Sequence, residues 1–90
     1  MKHQAIDELV KDMACKGYKH SLGYGYFYQH WETFSVYLHY ELRGIGAKMT
    51  TVRAISEIGN DTDAILEFPF ESVALAEIKA RKFYQAVKNL

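Results

Sequence analysis

Thr33-Phe34-Ser35-Val36-Tyr37-Leu38-His39-Tyr40-Glu41-Leu42 is the stretch that decides the fold. Phe34, Val36, Leu38, Tyr40 and Leu42 alternate without a break with Thr33, Ser35, Tyr37, His39 and Glu41. A period of two sends successive side chains to opposite faces of a strand, so this strand has one apolar face and one mixed face. Upstream, Tyr24 to Tyr28 is a second run of β-favouring aromatics, and Gln29 to Glu32 reads as the turn of a hairpin. Gly44-Ile45-Gly46 closes the alternating strand.

Further along, residues 49–58 fit two templates. Val52, Ala54 and Ile58 alternate with Thr51, Arg53 and Glu57 as in a strand, while Met49, Val52 and Ile55 have helical spacing. The β-branched run Thr50-Thr51-Val52 favours the strand. Gly59-Asn60-Asp61 then reads as a turn into a short apolar strand from Ala64 to Phe68. Both ends of the chain are helical in pattern. Ile6, Leu9, Val10 and Met13 form one stripe over about residues 4–16, with Lys16 and Gly17 as stop signals. Val73, Ala76, Ala80, Phe83, Val87 and Leu90 form another over about residues 71–89, with Leu75 and Ile78 apolar but off the stripe. The expected architecture is α+β: a single domain over residues 1–90, built as a two-layer sandwich of helix, four-stranded antiparallel meander and helix. Both helices are expected on one sheet face, because two apolar stripes need one apolar surface.

The chain has 90 residues, and its 11 basic and 11 acidic side chains cancel. A neutral domain argues against nucleic-acid binding through phosphate charge. The neutrality is uneven, however. Residues 21–40 hold a single charged residue, Glu32, and eight aromatics, whereas the only charged residues over 54–78 are acids and those from Lys79 onward are bases. The acidic stretch 57–77 is too dilute to favour mimicry of a nucleic acid and reads as solvated surface. The one cysteine, Cys15, cannot form an internal disulfide, and at a helix C-terminus it reads as a small apolar filler, not a thiolate nucleophile. With no apolar run of membrane-spanning length and a charged amphipathic N-terminus, the chain is expected to be cytoplasmic.

Motifs for chemistry are sparse. Gly23-Tyr24-Gly25 lacks the third glycine of a phosphate loop. His3, His20, His30 and His39 invite a metal site, but alternation puts His30 with Tyr26 and Tyr28, and His39 with Tyr37, on what reads as the opposite face. No metal or cofactor is expected. Leu22-Gly23-Tyr24-Gly25-Tyr26-Phe27 partly resembles the RNP1 signature of RNA-recognition motifs, with Leu22 in place of the basic residue and Gln29 in place of the last aromatic. The helix–strands–helix order is similar to that of double-stranded-RNA-binding domains, whose lysine cluster is replaced here by Glu71, Ser72 and Glu77. Both resemblances fail at the residues that bind.

The aromatic hairpin is the candidate contact surface. If residues of like parity pair, Tyr24, Tyr26 and Tyr28 share the core face with Phe34, Val36, Leu38 and Tyr40. The other face then carries Phe27, Tyr37, His39, Arg53 and Ile55, with Trp31 at the turn, and Leu75 and Ile78 add apolar surface on the last helix. Aromatics and arginine on an open face have the composition of an interface hot spot. The expected function is a small non-catalytic protein-interaction module, an adaptor or an inhibitor of phage or mobile-element type, able to pair with itself as a homodimer. One alternative is a small-molecule pocket between sheet and helices lined by Tyr24, Tyr26, Tyr40 and Trp31. Another is single-stranded nucleic-acid binding by stacking on the same aromatics.

Overall fold

The computed structural model describes residues 4–44, 46–58 and 62–89. The expected turn at 59–61, Ile45 of the 44–46 turn, His3 and the stripe's last member Leu90 lie outside the described residues. Two α-helices and five antiparallel strands follow in the order α1 (Gln4–Cys15), β1 (Lys19–Ser21), β2 (Tyr26–His30), β3 (Phe34–Arg43), β4 (Gly46–Glu57), β5 (Asp63–Pro69) and α2 (Val73–Lys88). The expected strand run from Tyr24 starts only at Tyr26, because Leu22–Tyr24 is a 3-10 turn closed by Gly25 at φ +71°. The strands lie side by side in sequence order. The chain is thus α+β, with one more strand than the alternation predicts.

Helix α1 ends as its sequence suggests. Gly17 takes φ +88°, the Gly17 amide donates to Ala14 O and the Tyr18 amide to Met13 O at 2.9 Å. This pair of bonds is a Schellman cap, which needs a residue tolerant of left-handed backbone. Ile6 and Met13 are buried, while Asp7, Glu8, Lys11 and Asp12 face out. Cys15 is exposed, so it is not the apolar filler expected of it. The reason is the helix period: Cys15 comes two residues after buried Met13, about 200° round the axis, and so points away from the buried stripe.

The sheet register corrects the sequence reading in one decisive respect. The Trp31 amide, one residue past β2, donates to Phe34 O at 2.8 Å, so Trp31 and Phe34 close a two-residue turn made of Glu32 and Thr33. A two-residue connection pairs residues of opposite parity, and Phe27 stands against Leu38, Tyr26 against His39 and Tyr28 against Tyr37. Phe27 therefore faces the helices and is fully buried; Tyr26 and Tyr28 face the other way. The physical preference is plain. A phenyl ring has no hydroxyl to satisfy, whereas each tyrosine keeps its hydroxyl within reach of water.

Between β3 and β4 the pairing runs Phe34–Ser56, Val36–Ala54 and Leu38–Val52, then shifts at a bulge so that Tyr40 meets Met49. Thr50 is the extra residue; its hydroxyl donates to His39 O at 3.3 Å, and its carbonyl accepts from the Phe70 amide at 3.0 Å. Residues 49–58 thus resolve as strand over Met49–Glu57. The core is a single cluster of Ile6 and Met13 from α1, Phe27, Val36, Leu38, Val52 and Ala54 from the sheet, and Ala76 and Ala80 from α2, with Tyr18, Phe34 and Tyr40 at its margins. Both helices cover the same sheet face.

Helix α2 starts at Ser72, whose hydroxyl accepts from the Leu75 amide at 3.1 Å. A cross-layer tie joins the two ends of the chain: the Tyr18 hydroxyl donates to Glu77 Oε2 at 2.8 Å. Burial, then the nearby carboxylate, pushes the Tyr18 hydroxyl well above its ordinary pKa, so it stays a donor. Tyr18→Phe should cost about 1–2 kcal/mol, the usual worth of a bond to a charged acceptor that water can partly replace. Urea unfolding reads this directly. No loss of stability would mean the tie forms without holding the layers together.

Candidate open-face aromatic surface

Cross-strand register sets the side chains of the helix-free face into rows. The central row runs Lys19, Tyr28, Tyr37, Arg53 and Glu67, one residue from each of β1 to β5. On one side lies Ser21, Tyr26, His39, Thr51 and Pro69; on the other, His30, Ser35, Ile55 and Ile65. Among the described residues, no helix covers these side chains.

Tyrosine and histidine rings tile the first three strands. Tyr26 meets Tyr37 edge-on at 5.2 Å between centroids and His39 at 5.3 Å, and Tyr28 stacks on Tyr37 at 6.0 Å. Tyr24 extends the tiling past the end of β2, stacking on Tyr26 at 6.1 Å while 79% exposed. His30 closes the other end at 5.3 Å from Tyr28. Ring contacts of this kind hold each side chain in place before any partner arrives, which lowers the entropy lost on binding.

Charge borders the tiles on the β4–β5 side. Arg53 reaches Glu67 Oε1 with Nη2 at 3.0 Å and Nε at 3.1 Å. Tyr24, His39, Glu41, Thr51, Arg53 and Glu67 surround an open depression of about 330 Å³. His39 Nε2 is buried there and has no hydrogen-bond partner among the described residues. Burial first, and the Arg53 charge second, hold the His39 imidazole below its ordinary pKa; Glu67 opposes them. Burial likewise raises the Tyr37 hydroxyl above the usual tyrosine value, helped by Tyr26 and Tyr28.

On the helix side, His20 is also held low by burial, with Nε2 2.6 Å from the Tyr40 hydroxyl and its ring stacked on Phe27 at 4.7 Å. Both histidines prefer to be neutral in the folded chain. As pH falls, the unfolded chain takes up these protons first, near the ordinary value of 6.5. The stability they confer is therefore complete above that value and is lost through the window just below it. Urea midpoints at about pH 8 and about pH 5.5 should show a drop, flattened in the His20→Gln/His39→Gln variant. Equal midpoints for the unmodified chain would contradict these shifts.

Of the eight side chains expected at the contact surface, four share the open face: Tyr37, His39, Arg53 and Ile55. Phe27 is core, as above. Trp31 follows the parity of Phe27 to the helix side, where it stacks on Phe34 at 4.9 Å. Leu75 is half-buried on α2 and Ile78 is 46% exposed there, on the layer behind the sheet. Sequence reasoning missed Tyr26, Tyr28, His30 and Glu67 as members of the face. The hydroxyls of Tyr26 and Tyr28 are the signal in the sequence that points to this face, against the like-parity pairing expected above.

The same register puts His30 and His39 on one face, not two. The row of Tyr28 and Tyr37 separates them, and among the described residues no group of three His, Cys, Asp or Glu is placed to hold a metal. His30 Nδ1 lies 2.7 Å from Ser35 Oγ. An imidazole beside a hydroxyl is half of a nucleophile pair, but no carboxylate orients the ring among the described residues. Tyr24, Tyr26, Tyr40 and Trp31 do not converge on a pocket, since Tyr26 and Tyr40 lie on opposite faces. Among the described residues, no helix is long and apolar enough to cross a membrane. Comparison with protein-family models, with curated proteins and with solved structures finds no significant match.

Proposed function

We propose that this chain is a non-catalytic protein-binding module, acting as an adaptor or inhibitor in the cytoplasm, whose contact surface is the open face of β1–β5. The observation that carries this reading is the tile of Tyr24, Tyr26, Tyr28 and Tyr37, on the face that no described helix covers and pre-ordered by its own ring contacts. Tyrosine gives a large contact area for few rotatable bonds, and arginine beside it suits a polar partner. Stacking of nucleic-acid bases would use the same rings. The acids Glu41, Glu57, Asp63 and Glu67 border the face, however, and repel phosphate.

The test is affinity capture from the native host with three baits: the unmodified chain, Tyr28→Ser/Tyr37→Ser, and Ile78→Ser/Lys82→Glu on the outer side of α2. A protein held by the first and third baits but not the second supports the reading. Capture that survives the tyrosine substitutions overturns it, and a nuclease-sensitive catch would favour single-stranded nucleic acid instead.

A further inference from the structure

The central row has an internal order that none of the separate contacts displays. From β1 to β5 it reads cation, ring, ring, guanidinium, anion: Lys19, Tyr28, Tyr37, Arg53, Glu67. Reversing the row exchanges Lys19 with Glu67 and Tyr28 with Arg53, and leaves Tyr37 in the middle. Each exchanged pair is attractive.

We infer that the open face binds a second copy of this chain, face to face, about a two-fold axis lying between the sheets and running along β3. This names the partner for the protein-binding reading above and rests on it. Rotation about such an axis turns one open face onto the other, keeps each row at its own height and swaps its ends. Lys19 then stands over the partner's Glu67, Tyr28 under the guanidinium of the partner's Arg53, and Tyr37 against the partner's Tyr37. Arginine over a tyrosine ring is favourable, and Arg53 can keep its Glu67 while it stacks. The flanking rows are compatible: His39 meets the partner's His39, and His30 covers the partner's Ile55. Sheets stacked this way normally cross at about −30° because each is twisted, which tilts the axis slightly off β3.

Some like charges do meet. Glu41 falls near the axis at one rim, and Glu32 approaches the partner's Glu57 at the other. These side chains are exposed, Glu41 already holds Arg43 at 3.1 Å, and rim charges in water contribute little. Charge here sets register more than affinity. The sheet measures about 19 Å from β1 to β5 and about 20 Å along residues 35–41 at standard spacings. That gives about 400 Å² per copy before side-chain relief, about half a standard interface, so the dimer should be a weak one, to be sought at about 10–100 µM.

Sedimentation equilibrium across that range tests the register by mixing. Lys19→Glu alone sets a new carboxylate against the partner's Glu67, twice in each dimer. Glu67→Lys alone sets a new ammonium against the partner's Lys19, again twice. Each variant by itself should self-associate about tenfold or more weakly than the unmodified chain. Mixed in equal amounts, they form a heterodimer in which one end of the row pairs two of the original side chains and the other end pairs the two substituted ones. Both pairs are then of opposite charge, and association should return to within about threefold of the unmodified value. Restoration on mixing also shows that both variants are folded. A single-chain mass for the unmodified protein throughout overturns the inference, as does self-association that mixing fails to restore. Either failure, with capture still lost in Tyr28→Ser/Tyr37→Ser, leaves the open face a binding surface for another protein.

Discussion

Phe27→Ala should destabilise the chain by about 3–5 kcal/mol, while Tyr28→Ala, one residue on, should cost about 1 kcal/mol. Phe27 is wholly buried, opposite Leu38, with His20 stacked on it and Tyr40 5.3 Å away. Deleting its ring removes the largest fully buried side chain and leaves a cavity walled by sheet and helices. Tyr28 leans on Tyr37 and His30 but keeps one side in water, so its loss removes cross-strand contacts and little burial. Urea unfolding of the two variants, compared at equal slope, measures the difference. Similar costs would mean that the hairpin carries both rings at comparable depth and that the register is wrong.

Ala80→Leu should cost about 1–3 kcal/mol, from overpacking and not from loss of contact. Ala76 and Ala80 are buried at 1% and 0%, and methyl-sized side chains there let α2 settle directly on β3 and β4. Three extra carbons at position 80 must lift the helix or force neighbouring core side chains aside. Ile78→Ala on the outer side should change stability by under about 0.5 kcal/mol by comparison. If Ala80→Leu were neutral or stabilising, a void would have to lie beneath the helix.

These results would bear on residues where sequence and structure part company. Phe34 to Leu42 declares its faces because its alternation is long, and the two helical stripes are equally regular. The β-branched run at 50–52 correctly outweighs the helical spacing of Met49, Val52 and Ile55. Strand β1 escaped notice because Lys-His-Ser is short and polar, with nothing in its composition to mark it; it exists because β2 offers it an edge. The contact surface was half legible. Tyr37, His39, Arg53 and Ile55 follow from the parity of β3 and β4, which the long alternation establishes. The parity of β2 depends on whether two or three residues turn the hairpin at Glu32 and Thr33. One residue of difference there exchanges Phe27 for Tyr26 and Tyr28 across the sheet.

The sequential strand order also has a kinetic consequence. Every strand pairs only with its neighbours in the chain, so the sheet can zip from the β3–β4 hairpin without closing a long loop. The distant contacts are those of the helices with the rest of the chain, among them the bond from Tyr18, between α1 and β1, to Glu77 of α2, 59 residues away. Folding should therefore reach its barrier with β3 and β4 formed and α2 not yet seated. In denaturant-dependent rate measurements, Leu38→Ala would then act mainly by slowing folding, and Ala80→Leu mainly by hastening unfolding. The reverse partition would place the docking of α2 before the sheet. By the same order, the rows of the tyrosine face should be aligned before α2 seats on the opposite side.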